Sequence, residues 1–227
     1  MPINTVIASV RSTVFLTLLA LSAATWGSSG TVSGTILIMG DSLSAAYGVE
    51  TERAWVARLD ERLDKRGWQS WQVKNASISG ETTDGGVRRL PDLLERHEPE
   101  IVVIELGGND GLRGFPPSVI KDNLADMIQH SKQAGAQVLL VGMQIPPNYG
   151  KPYTEAFANL YADLAETYSV ALVPFFLQDI YNREELMQSD GIHPTAEAQE
   201  QLLDNVWPHL KLLISTEAKS MANSSAQ

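Results

Sequence analysis

Cysteine is absent from all 227 residues. That gap excludes a disulfide framework, a thiolate nucleophile, a Cys-ligated metal and an N-terminal Cys carrying a lipid. Positive charge is also scarce: 17 Lys and Arg stand against 27 Asp and Glu, a formal net charge of -10. Such a surface repels a phosphate backbone, so nucleic acid is not an expected partner. The four histidines, His97, His130, His193 and His209, are scattered without an H-E-x-x-H spacing, which gives a zinc site little support. With 17 Gly, 11 Pro and 44% hydrophobic residues, collagen-like, low-complexity and disordered chains are excluded, and a packed core is expected.

Apolar runs of membrane length are missing as well. The uncharged stretch Ser12 to Ala24 follows Arg11 and is shorter than the roughly 20 residues that span hydrocarbon. It reads as the apolar region of a signal peptide, with Ser22 and Ala24 as the small residues before a cleavage point near Ala24. Export to the periplasm, or secretion, is therefore expected for residues 25–227, with no stable membrane anchor after cleavage. An uncleaved anchor that recruits Val6 to Val10 is the alternative, and it would place Arg11 inside the span. Residues 25–34 read as a flexible segment, 35–214 as one domain, and 215–227 as a polar, disordered tail rich in Ser and Ala.

What is present is an alternation. Strand-length apolar runs recur at Thr35 to Met39, Gln72 to Ala76, Ile101 to Leu106, Val138 to Met143 and Ala171 to Val173. Between them, Trp55 to Arg66, Val87 to His97, Ser118 to Ala134 and Glu155 to Tyr168 carry apolar residues at three- and four-residue steps, and Thr195 to Ile214 closes the chain similarly. Runs such as IVVIEL are apolar on consecutive positions, as strands covered on both faces must be. The spacing predicts an α/β fold, a three-layer α/β/α sandwich with a central parallel sheet of about five strands.

In such sheets the reactive groups collect where strand ends meet helix N-termini. Four constellations fall there: Gly40-Asp41-Ser42-Leu43-Ser44, Asn75 to Thr82, Gly107-Gly108-Asn109-Asp110-Gly111 and Asp190-Gly191-Ile192-His193-Pro194, with Pro194 read as the first residue of the terminal helix. Together they hold a hydroxyl, backbone donors freed by glycine, a side-chain amide and an imidazole near a carboxylate, which is the equipment of acyl transfer. Ser42 is the candidate nucleophile, His193 its base, and Asp190 the carboxylate that fixes the imidazole tautomer. The N–H groups of Ser42 and Gly80 and the amide of Asn109 are candidate oxyanion donors. Each piece alone has a plainer reading: Ser42 as a helix N-cap, 107–111 as a tight turn, His193 as a helix leader. Asp41 and Asp110 read as carboxylates that order their own turns.

The blocks GDSLSAAYG, NASISGETT, ELGGNDGLRG, PPNYG and DGIHP resemble the SGNH, or GDSL, hydrolase family over nearly the whole chain after residue 24. Within it they are similar to the bacterial thioesterase I/protease I/lysophospholipase, or arylesterase, group. The resemblance implies a flavodoxin-like sandwich, a nucleophile at Ser42, oxyanion donors at Ser42, Gly80 and Asn109, and Asp190 with His193 completing the triad. It also implies a periplasmic enzyme that cleaves carboxylic esters and thioesters, among them aryl esters, lysophospholipids and acyl-CoA-type thioesters. Leu112, Arg113, Gly114 and Phe115 would border the acyl chain on a loop that moves in relatives, and Ile145 and Pro146 would form the other wall. No metal or organic cofactor is implied, and the small-molecule acyl substrate is the expected partner of a monomer. Two alternatives stay open on the same scaffold: a carbohydrate O-deacetylase or acetyltransferase, and a non-catalytic acyl- or glycan-binding module.

Overall fold

A computed structural model describes Met1 and residues 33–224. The expected signal peptide and residues 25–32 lie outside the described residues.

The consecutive apolar runs form a parallel sheet. Strands β1 (Gly34–Gly40), β2 (Trp71–Asn75), β3 (Ile101–Glu105), β4 (Gln137–Val141) and β5 (Ala171–Val173) lie in the order β2-β1-β3-β4-β5. Every residue of β3 is buried, as are the last five of β1 and four of the five in β4. Edge strand β2 is only partly buried, because no neighbour covers its outer side. Helices α1 (Trp55–Lys65) and α6 (Gln199–Ser224) pack together on one face; α2 (Thr83–His97), α4 (Pro117–Gln133) and α5 (Lys151–Tyr168) pack in a row on the other, and α3 (Gly108–Leu112) is a single turn after β3. In α1, Trp55, Val56, Leu59 and Leu63 are buried at helical spacing; each contributes about 1.5–3 kcal/mol through removal from water.

The order 2-1-3-4-5 reverses direction between β1 and β3, and ligands in such sheets bind in the crevice at that switch point. Gly40 pairs with Glu105, so the two central strands end level and their loops leave side by side.

Three boundaries differ from the sequence reading. Residues 215–224, expected as a disordered tail, continue α6. Ile214 is fully buried, and the hydroxyls of Ser215 and Thr216 donate to the carbonyls of Lys211 and Leu212 one turn back, so the helix absorbs its polar residues. The Gln137 amide also donates to Glu217, tying that turn to β4. Gly34, assigned to the flexible segment, already pairs with Trp71 in the sheet. Pro194 does not open the terminal helix: it bridges Met187 in antiparallel fashion, and a 3-10 turn, Ala196–Ala198, precedes α6 at Gln199.

Candidate active site

Beyond Gly40 the chain turns through residues 42–48 without entering a helix, so Ser42 caps nothing. Its Oγ lies 2.9 Å from His193 Nε2, and His193 Nδ1 lies 2.7 Å from Asp190 Oδ2. With the proton on Nδ1 donated to Asp190, Nε2 is the acceptor for the Ser42 hydroxyl. The partners are 151 residues apart in the chain. Asp190 is well anchored: its Oδ1 accepts the N–H groups of Ile192 at 2.9 Å and His193 at 3.0 Å. Partial desolvation works against its charge, but these donors and the imidazole outweigh it and hold its pKa at about 2.

The sequence-predicted oxyanion donors come from three neighbouring strand ends. The Ile78 N–H donates to the Gly40 carbonyl at 3.1 Å and Asn75 Nδ2 to the Ser44 carbonyl at 2.8 Å, binding the loop after β2 to the loop after β1. Arg89 grips the same loop through Glu81 and the Ala76 carbonyl. Gly80 adopts φ +79, a left-handed conformation costly for other residues. Neither the Ser42 nor the Gly80 N–H donates to another described residue. The Asn109 amide sits in α3 and donates one hydrogen to Asp41 Oδ2 at 3.0 Å, leaving the second for another acceptor.

Sequence reasoning missed a carboxyl that lies beneath the Ser42 turn. Glu105 is fully buried at the end of β3; its Oε2 accepts the Ser44 hydroxyl at 2.6 Å and lies 3.3 Å from the Asp41 N–H. A Cβ at position 40 would lie 2.6 Å from Glu105 Oε2 and 2.8 Å from Ser44 Oγ, so any larger residue would displace this pair. Burial, and then the charge of Asp41, push the Glu105 carboxyl well above the carboxylate range. The available signal was an acid closing an otherwise apolar run. Asp41, 3% exposed, is pushed up to about 6, mainly by burial. It orders its own turn as expected, accepting the Leu43 N–H at 3.0 Å, while also holding Asn109. Asp110 bonds its own backbone N–H as expected, and it also accepts the N–H and hydroxyl of Thr83, joining α3 to the start of α2.

Of the expected acyl-contacting residues, Arg113, Gly114, Phe115 and Pro146 are exposed and Leu112 is half-buried. Ile145 is buried against Gly111 and Phe157, so its side chain supports the loop from the core side. Two further residues were given no role by the sequence reading: the Tyr149 hydroxyl donates to the Leu112 carbonyl at 2.7 Å, and the Tyr153 hydroxyl to the Phe115 carbonyl at 2.6 Å. They hold the 112–115 loop from the far side. Arg113 in turn donates to the Gly80 carbonyl at 3.1 Å.

Residues 38–201 match the model of the GDSL-like lipase/acylhydrolase family. The chain is 53% identical over 180 residues to a Pseudomonas aeruginosa protein named esterase TesA, covering 79% of this chain and 89% of the relative. It is 43% identical over 206 residues to the Escherichia coli K12 protein named thioesterase 1/protease 1/lysophospholipase L1, covering 90% and 93%. Among solved structures, esterase EstA from Pseudoalteromonas, inhibited by monoethylphosphonate, superposes with a TM-score of 0.77 at 42% identity, covering 81% of this chain and 100% of EstA.

Proposed function

The chain belongs to the GDSL-like lipase/acylhydrolase family, and from that premise we propose a reaction for it residue by residue. It is a serine esterase. His193 Nε2 takes the hydroxyl proton as Ser42 Oγ attacks the acyl carbon, and the negative charge that forms on the acyl oxygen is met by the Ser42 and Gly80 N–H groups and the free hydrogen of Asn109. Asp190 stays ionised throughout and stabilises the imidazolium. Collapse of the tetrahedral intermediate breaks the bond to the leaving oxygen or sulfur, which receives the proton from His193. Water, deprotonated by the same nitrogen, then releases the acid and restores Ser42. Every proton and the nucleophile are supplied by the chain and by water.

The substrates are small acyl compounds: aryl esters, lysophospholipids and acyl-CoA-type thioesters with medium to long acyl chains. Leu112 to Phe115 on one side and Pro146 on the other border the acyl chain, with Ile145 backing them from the core side. The uncharged stretch Ser12 to Ala24 after Arg11 supports export to the periplasm with loss of residues 1–24.

One observation carries this reading: the unbroken line from Asp190 Oδ2 through His193 to Ser42 Oγ, with both contacts under 3 Å. The test is turnover of p-nitrophenyl esters of graded length beside a lysophospholipid and an acyl-CoA, by wild type and by Ser42→Ala. The variant should lose at least about 10⁴-fold in kcat, with KM little changed. Near-full turnover by Ser42→Ala would overturn the nucleophile, and a strict preference for acetyl esters would overturn the substrate class in favour of a deacetylase.

A further inference from the structure

Tyr47 sits on the turn that carries Ser42, and its N–H donates to the Ser42 carbonyl at 3.1 Å. Its ring lies against the imidazole of His193, with centroids 4.4 Å apart and planes inclined by 38°. Half of the residue remains exposed, at 51%. The backbone that carries this ring is held at its carbonyl. The Gln188 Nε2 amide donates one hydrogen to the Tyr47 carbonyl and one to the Pro194 carbonyl, both at 3.0 Å, and the Gln188 backbone N–H donates to the His193 carbonyl at 2.7 Å. A single residue thus joins the turn bearing the nucleophile to the loop bearing the base. Gly48 admits it: a Cβ there would collide with the Gln188 amide, and the backbone at φ +70 suits glycine.

The position matters because of where the proton must go. His193 Nε2 receives it from Ser42 and must hand it to the departing oxygen or sulfur, so the leaving atom comes within hydrogen-bond reach of that nitrogen. Whatever group is attached to the leaving atom then departs alongside the imidazole. The Tyr47 ring, half exposed and packed on that imidazole, offers an aromatic surface beside it.

We propose that Tyr47 forms the leaving-group wall of the site and sets a preference for aryl over alkyl leaving groups, with Gln188 as the positioning residue that keeps ring and imidazole together. This rests on the reading of Ser42 and His193 given above. An aryl leaving group gains an offset or edge contact with Tyr47 that a linear alkyl group cannot make, and aromatic pairs of this kind are worth about three- to tenfold.

The experiment compares two hexanoate esters with the exported protein: the phenyl ester, and a fluoroalkyl ester whose alcohol matches phenol in acidity, so that leaving-group basicity cancels. Tyr47→Leu should lower the phenyl-to-fluoroalkyl ratio of kcat/KM by about three- to tenfold, whereas Tyr47→Phe should preserve the ratio. Gln188→Ala, which keeps the tyrosine but frees its carbonyl, should lower the same ratio and also lower kcat on both esters. A merely structural role for either residue would change both esters alike and leave the ratio where it was; that result would overturn the proposal. The two readings fail separately. Retained turnover by Ser42→Ala would defeat the underlying mechanism, while a dead Ser42→Ala beside an unchanged ratio in Tyr47→Leu would defeat the leaving-group wall alone.

Discussion

Two carboxyl groups flank Ser42 and live under opposite conditions. Asp190 lies on the loop before His193 with 38% of its side chain exposed, and its donors hold it ionised at about 2. Asp41, next to Ser42 in the chain, is 3% exposed and is pushed up by burial to about 6, with fully buried Glu105 pushed further still. At Asp190, which the proposed mechanism uses to compensate an imidazolium, the fold surrounds a carboxylate with N–H groups and lets water in. Where a carboxyl only has to hold N–H and O–H groups in place, the fold buries it and tolerates the cost. On this view the loop side of the site supplies charge and the sheet side supplies placement.

The sharpest way to break that contrast is Asp190→Asn. An amide can donate to His193 Nδ1 and stabilise the wrong tautomer, so kcat should fall by about 10⁴-fold; a loss below tenfold, read from steady-state kinetics, would mean that the charge is not needed. On the placement side, Asn109→Ala removes one proposed oxyanion donor and should lower kcat by about 10²- to 10³-fold with KM nearly constant. An effect confined to KM would show that the amide binds ground-state substrate instead.

Stability should move in opposite directions at the two carboxyls. Burial raises the Asp41 pKa from 3.8 to about 6, so its penalty is absent below the unfolded value and grows as pH rises through the folded one. Urea melts should therefore find Asp41→Asn gaining stability relative to wild type as pH rises from about 4 to about 7 and holding that gain above, by up to about 3 kcal/mol. A flat difference over that window would place the charge of Asp41 in a far better solvated setting than its burial implies. At Asp190 the pKa is lowered from 3.8 to about 2, so the ionised group contributes stability above the unfolded value and loses it on acidification toward the folded one. The stability deficit of Asp190→Asn should shrink over that acid range. This is the smallest of the four effects, because an exposed pair is screened by water.

Much of the architecture could be read from residue order. Runs such as IVVIE are apolar at every step because helices cover both faces of the strand, and β3 is buried throughout; strand ends then mark where loops and reactive groups collect. Helix starts were less legible where a cap rather than apolar periodicity begins them. Thr82 accepts the Gly85 N–H and starts α2 four residues before the first periodic apolar position, Val87. The end of α6 was hidden for the converse reason: Ser and Thr read as loop formers until their hydroxyls are seen bonding back into the helix.

Taken by itself, the sequence determined the α/β sandwich, the level at which the chemistry gathers, and the residue types able to perform acyl transfer, because periodicity and strand-end composition are local properties of the chain. Only the tertiary structure decided that Glu105 and Asp41 form a buried pair under the site, that Tyr149 and Tyr153 hold the 112–115 loop, and that Gln188 bonds the turn of Tyr47 to the loop of His193. Each of those roles comes from a contact across a long stretch of chain, 141 residues for Gln188 and Tyr47 and 64 for Asp41 and Glu105. No local pattern encodes such a contact, because burial and hydrogen bonding arise only once distant segments pack together.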